Sequence, residues 1–239
     1  MQILAIGNSF SQDATAYLKK ISEFGKGDIT VVNLVIGGCS LSRHYRNMLS
    51  GDKVYSMEFN GQATGFSMSL DEALLSRDWD VVTIQQASHF STKYESYHPY
   101  IDSLADYIRE CCPKAKLIVH ETWAYEEGSD RLVNYMKYEK RADMYNDLHD
   151  AYMKAAEAIN ADGIIPSGTL MQKLIENGVT RLHRDTFHAS LDIGRYALAL
   201  LWFKALTGKS VLDNSFKCPI GEISDEEYRI IKKCVEEIA

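Results

Sequence analysis

The chain has 239 residues, enough to bury a full core. With 33 acidic against 26 basic side chains the formal net charge is −7, which gives no electrostatic reason to expect nucleic acid or a membrane surface as a partner. Hydrophobic residues at 46% and charged ones at 25% match ordinary water-soluble folds, and no apolar run reaches the ~18 residues of a spanning helix.

In chain order, five apolar runs read as strands: 2–6, 29–36, 80–85, 115–120 and 163–165. Helical patterns cover about 12–24, 41–49, 97–112, 134–160, 168–176, 189–207 and 224–238. The last opens on Ser224 with Glu227 three residues later, a capping-box signal. Strands alternating with helices predict an α/β fold, a parallel sheet covered on both faces.

Residues 53–69 break the alternation. Polar and apolar residues alternate there around Asn60-Gly61, which predicts a β-hairpin with a favoured two-residue turn. Three readings of this insertion are open: a wall of the functional cleft, a dimer contact or a surface decoration. No repeat, linker or low-complexity stretch divides the chain, so residues 1–239 read as a single domain. The first strand begins at once, with no charged segment leading into an apolar one. The expected compartment is therefore the cytoplasm, or outside the cell if a leader has been removed. The five cysteines (Cys39, Cys111, Cys112, Cys218, Cys234) are odd in number and lack metal-type spacing, so reduced, packed thiols are expected. No zinc, EF-hand or P-loop signature is present, and no metal or cofactor is expected.

The chemistry concentrates where strands end. Gly7-Asn8-Ser9-Phe10-Ser11 follows the first apolar run and delivers a serine to that strand's C-terminal edge, where open α/β sheets bind ligands. A serine hydroxyl becomes a nucleophile only beside a base. Arg184-Asp185-Thr186-Phe187-His188 supplies an imidazole, and Asp185 lies three residues before it, within reach on one turn. Serine, histidine and an orienting carboxylate are the parts of a hydrolytic triad. Gly37-Gly38-Cys39-Ser40 follows the second strand, Gln85-Gln86-Ala87-Ser88-His89 the third, and His120-Glu121-Thr122-Trp123-Ala124-Tyr125 the fourth. A parallel sheet gathers all these ends on one rim. Trp123 and Tyr125 there suit stacking on a sugar or lining an acyl pocket, and equally suit plain packing.

These segments resemble the SGNH (GDSL-like) hydrolases, within a poorly characterised bacterial branch. Gly7-Asn8-Ser9-Phe10-Ser11 is similar to the first block, with Asn8 where many members have aspartate. Gly38 is similar to the second-block glycine and Asp185-Thr186-Phe187-His188 to the DxxH fifth block. The resemblance spans residues 3 to about 205. It implies a flavodoxin-like three-layer α/β/α sandwich on a five-stranded parallel sheet. It also implies Ser9 as nucleophile, His188 as general base, Asp185 as its partner, and an oxyanion hole from the Ser9 and Gly38 amides plus a side chain after the third strand. The family's usual asparagine is absent there. Gln86 is the preferred substitute because its amide donates as an asparagine does, and His89 is the alternative donor.

The expected function is therefore a metal-independent serine esterase, taken as a monomer or homodimer. Its small-molecule substrate is an ester, such as a small acyl group on a carbohydrate or similar polar alcohol. A non-catalytic carbohydrate- or small-ligand-binding module on the same fold is the alternative, since folds outlive their chemistry.

Overall fold

A computed structural model describes the chain from Met1 to Ala239. Its strands are β1 (Gln2–Gly7), β2 (Thr30–Val35), β3 (Tyr55–Phe59), β4 (Gln62–Met68), β5 (Val81–Ile84), β6 (Lys116–Glu121) and β7 (Gly163–Pro166). One sheet contains all seven, in the order β4-β3-β2-β1-β5-β6-β7. The five runs read as strands from the sequence are its parallel members, β2, β1, β5, β6 and β7. Residues 3–6 of β1 and all of β5 are buried, which is why both are continuous apolar runs without alternation.

The hairpin forms as expected but is not a separate insertion. β3 pairs antiparallel with β2, and β4 with β3, so the sheet has seven strands rather than five. Asn60 and Gly61 both take positive φ (50° and 77°), the two-residue geometry whose twist matches the flanking strands. A Cβ on Gly61 would meet the Ala16 carbonyl oxygen at 2.3 Å, so the turn seats against the body of the protein only with glycine there. No hairpin residue lines the cleft described below.

The helices are α1 (Ser9–Thr15), α2 (Leu18–Phe24), α3 (Leu41–Ser50), α4 (Leu70–Leu75), α5 (Tyr100–Cys111), α6 (Arg141–Ala158), α7 (Ser167–Glu176), α8 (Ile193–Thr207) and α9 (Asp225–Ile238). α1, α2, α7 and α9 all pack on α8, while α3, α4 and α5 pack on one another. The expected helix over 12–24 is two helices, and the one over 134–160 starts at Arg141. Lys137 takes a left-handed φ of 65°, which an α-helix cannot contain, and a π-helical turn at Arg131–Tyr135 precedes it. Ser224 and Glu227 do form the capping box that opens α9.

The topology positions the site. From β1 the chain crosses to β2 on one side, and the next parallel strand, β5, lies on the other side of β1. Connections leaving in opposite directions open a crevice at the carboxyl ends of β1 and β5, where ligands bind in sheets of this kind. Ser9 follows β1 and residues 85–89 follow β5, so both border that crevice.

Candidate active site

Asn8 sets the direction of Ser9. It caps α1, its Oδ1 accepting from the Phe10 amide at 2.9 Å and from Gln85 Nε2 at 2.9 Å, while its Nδ2 donates to the Cys39 carbonyl at 3.1 Å. Donor and acceptor are both required, which suits an amide. An aspartate here would face the Cys39 carbonyl with a second acceptor. Gln85 is held in turn by His120, whose Nδ1 lies 2.8 Å from Gln85 Oε1 and whose Nε2 lies 3.0 Å from Ser167 Oγ. Burial pushes the His120 pKa down to about 3. The neutral ring therefore donates from Nδ1 to Gln85 and accepts from Ser167 at Nε2. Ser9 itself is half-buried. As the first residue of α1 its amide has no intrahelical acceptor.

The loop before α8 brings the imidazole to this serine. His188 Nε2 lies 2.8 Å from Ser9 Oγ, and His188 Nδ1 lies 2.7 Å from Asp185 Oδ2. Asp185 Oδ1 also accepts from the His188 amide at 2.9 Å, closing the turn. Burial pulls the Asp185 carboxyl upward, but the hydrogen bonds from the His188 ring and amide together hold it below its ordinary value. The carboxylate is thus ionised at neutral pH and faces Nδ1–H, which leaves Nε2 to accept the serine proton.

The Glu126 amide donates to the Thr186 carbonyl at 2.8 Å, and three side-chain anchors hold that loop. His183 Nε2 donates to the Ala124 carbonyl at 3.1 Å, and Trp123 Nε1 donates to the Phe187 carbonyl at 2.8 Å. The third is Asp13 of α1, fully buried, which accepts from Arg184 (2.9 and 3.0 Å), Arg195 (2.9 Å) and the Ala189 amide (3.1 Å). Between these anchors Thr186 is held at φ 73°, a strained conformation for a β-branched residue.

Above Ser9 and His188 lies a cleft of about 340 Å³, also lined by Gly38, His89, Tyr125 and Arg131. Gly38 takes φ 61°, which favours glycine, and its amide donates to no protein group. Gln86 departs from the expectation. Its Oε1 accepts from the Leu41 and Ala87 amides (both 2.9 Å), and its Nε2 donates to the Ser96 carbonyl (3.0 Å) and Oγ (3.2 Å). The amide is fully engaged and faces away from the cleft, so it offers no oxyanion donor. His89 lines the cleft instead, and burial lowers its pKa, leaving a neutral ring with one N–H. Of the two roles read for Trp123, it takes the packing one and not the substrate-lining one. It is fully buried and stacked on Phe10 with centroids 4.2 Å apart, so it supports the site from beneath and meets no substrate. Tyr125 does line the cleft, its hydroxyl 2.9 Å from Ser88 Oγ.

A family model described as "Domain of unknown function (DUF4886)" matches residues 2–236. The chain belongs to the DUF4886 family. A crystal structure of a DUF4886 family protein from Bacteroides uniformis is similar at 34% identity and TM-score 0.91, over 99% of this chain and 93% of that one. At the level of fold alone, this DUF4886 protein is similar to a candidate SGNH hydrolase from Slackia heliotrinireducens (21% identity, TM-score 0.63, 86% and 98% covered). It is likewise similar to Axe2, an acetylxylan esterase from Geobacillus stearothermophilus (15% identity, TM-score 0.52, 92% and 97% covered). The architecture is that of the SGNH hydrolases. No curated protein matches the sequence.

Sequence reasoning missed several parts of the DUF4886 site. Asp13 had a readable signal: it lies on the buried stripe of Phe10, Ala14 and Tyr17, where a carboxylate needs a cationic partner. Arg131 and Tyr135 had none, because they reach the cleft from the π-helical turn, over which no regular period runs. No group of three or more His, Cys, Asp and Glu side chains comes together in a way that holds a metal ion. No helix is long and apolar enough to cross a membrane.

Proposed function

We propose that this DUF4886 protein is a serine hydrolase that cleaves an ester through Ser9, His188 and Asp185. The carrying observation is the continuous hydrogen-bonded line from Ser9 Oγ through the His188 ring to the Asp185 carboxylate, with links of 2.8 and 2.7 Å.

In the first half-reaction Ser9 Oγ attacks the ester carbonyl carbon as His188 Nε2 takes the hydroxyl proton. The developing oxyanion receives hydrogen bonds from the Ser9 and Gly38 amides and from the His89 ring N–H. The imidazolium, stabilised by Asp185, then protonates the departing alcohol oxygen as the carbon–oxygen bond breaks. In the second half-reaction His188 deprotonates a water that attacks the acyl-enzyme, and the acid leaves as Ser9 recovers its proton. The small cleft and its aromatic lining support a short acyl group on a carbohydrate-like alcohol, the class of substrate named for Axe2.

The test is hydrolysis of 4-nitrophenyl acetate together with labelling by a fluorophosphonate probe. Ser9→Ala is expected to lose turnover by about 10⁴-fold or more and to abolish labelling. Equal turnover by the variant removes Ser9 from the mechanism. Absence of both labelling and turnover in the unmutated protein favours a binding module on the same fold.

A further inference from the structure

We propose that Arg131 binds a negatively charged group of the substrate, so that the ester this site is built for carries a carboxylate or comparable anion close to the scissile bond. This rests on the hydrolase reading for the bound molecule being an ester.

The first observation is an unmatched cation. Arg131 donates to no acceptor in the protein and forms no ion pair. Arg43 and Arg46 on α3 share that state, but of the three only Arg131 lines the cleft. The other seven arginines all donate to carboxylates, carbonyls or side-chain amides, for example Arg184 to Asp13 and Arg109 to the Ile159 carbonyl.

The second observation is that Arg131 is held in place despite its exposure. Its guanidinium carbon lies 3.8 Å from the centroid of Phe187, the residue directly before His188. Stacking on an aromatic face orients the planar group and leaves its in-plane N–H donors free for a carboxylate or phosphate oxygen pair. Its backbone belongs to the π-helical turn Arg131–Tyr135, whose far end brings Tyr135 to the same cleft.

The third observation is the charge of the surroundings. The chain carries a net charge of −7, yet no aspartate or glutamate lines the cleft. The nearest carboxylate behind His188, Asp185, is committed to the imidazole. The cleft thus presents a fixed positive charge to an incoming molecule, in a protein whose net charge is negative. That charge also acts inside the cleft. Burial pushes the Tyr125 phenol upward, and the Ser88 hydrogen bond and the Arg131 charge pull it part of the way back.

Matched ester pairs test the proposal. Mono-4-nitrophenyl glutarate against 4-nitrophenyl valerate places the anion on the acyl side, and 4-acetoxybenzoate against phenyl acetate places it on the alcohol side. In at least one pair the unmutated protein is expected to favour the anionic ester by about ten-fold in kcat/KM, as a charge-assisted hydrogen bond gives. That ratio should shrink at high salt and fall to near one in Arg131→Met, with Arg131→Lys keeping part of it. A second measurement needs no chemistry: benzoate should bind Ser9→Ala protein more tightly than benzamide does, and the difference should vanish when Arg131→Met is added. Neutral esters favoured in both pairs, or an anion preference that survives Arg131→Met, overturns the proposal. Failure of every ester together with Arg131-dependent benzoate binding instead counts against the hydrolase reading while supporting the anion site.

Discussion

Beneath Ser9, the side chains of Asn8, Gln85 and Asp13 are at most 2% exposed, and each is tied to named partners. Above it, Arg131 and Tyr135 stand exposed and offer their polar groups to nothing in the protein. The same cleft is thus built by two rules. In the floor an unmatched polar atom costs stability, because no water replaces the lost partner. At the rim water is always available, so an unmatched group costs little and stays free to meet a ligand. Changes to the floor should therefore be read in folding, and changes to the rim in binding.

The largest expected effect on folding lies at Asp13. Asp13→Ala leaves Arg184 and Arg195 facing each other without their carboxylate and frees the Ala189 amide. Urea unfolding should show a loss of about 3 kcal/mol, the range for breaking a buried ion pair from one side. A loss below about 1 kcal/mol would place Asp13 with the rim residues and erase the contrast.

A smaller, pH-dependent effect is expected at the end of β6. Glu121 is fully buried there, accepting from the Thr169 amide at 2.7 Å and paired with His149 at 2.9 Å. The hydrogen bond to Glu121 raises the His149 pKa above its ordinary 6.5, against the opposing pull of burial. A raised folded-state value means that the pair stabilises fully below pH 6.5 and loses that contribution as pH rises through the folded pKa. His149→Ala should therefore destabilise more at pH 5.5 than at pH 9. Since His149 is about a third exposed, solvent screening keeps the difference below about 1 kcal/mol. An equal cost at both pH values would mean that the pairing carries no charge.

The smallest effect is expected at Tyr135, which is 60% exposed. Tyr135→Ala should leave stability within about 0.5 kcal/mol. A larger loss would show that the rim is part of the fold rather than a surface laid on it.

The sequence made the order of the site legible. The apolar run into Gly7-Asn8-Ser9, the three-residue spacing of Asp185 and His188 and the Asn60-Gly61 turn each declare themselves within a few residues. Their geometry follows from short-range backbone and side-chain sterics. The parallel strands were equally plain, because a strand buried on both faces must be apolar throughout. The fate of the segment after β5 was not legible. Gln86 and His89 sit three apart in an irregular loop, where no period assigns a side to either. Gln86 turns inward because the Leu41 amide, forty-five residues earlier in the chain, takes its carbonyl oxygen. Trp123 was not decidable for a related reason: following a strand at the rim does not say whether a ring points up into the cleft or down onto Phe10.

By itself, then, the sequence determined the five parallel strands, the two segments that hold Ser9 and His188, and the carboxylate beside the imidazole, all through patterns confined to neighbouring residues. Only the tertiary structure decided that a hydroxyl and an imidazole 179 positions apart lie 2.8 Å from each other, which amide is withdrawn and which ring faces the cleft, and that an arginine stands there unpaired. Those outcomes depend on which distant group reaches a buried donor or acceptor first, and that competition is settled by packing.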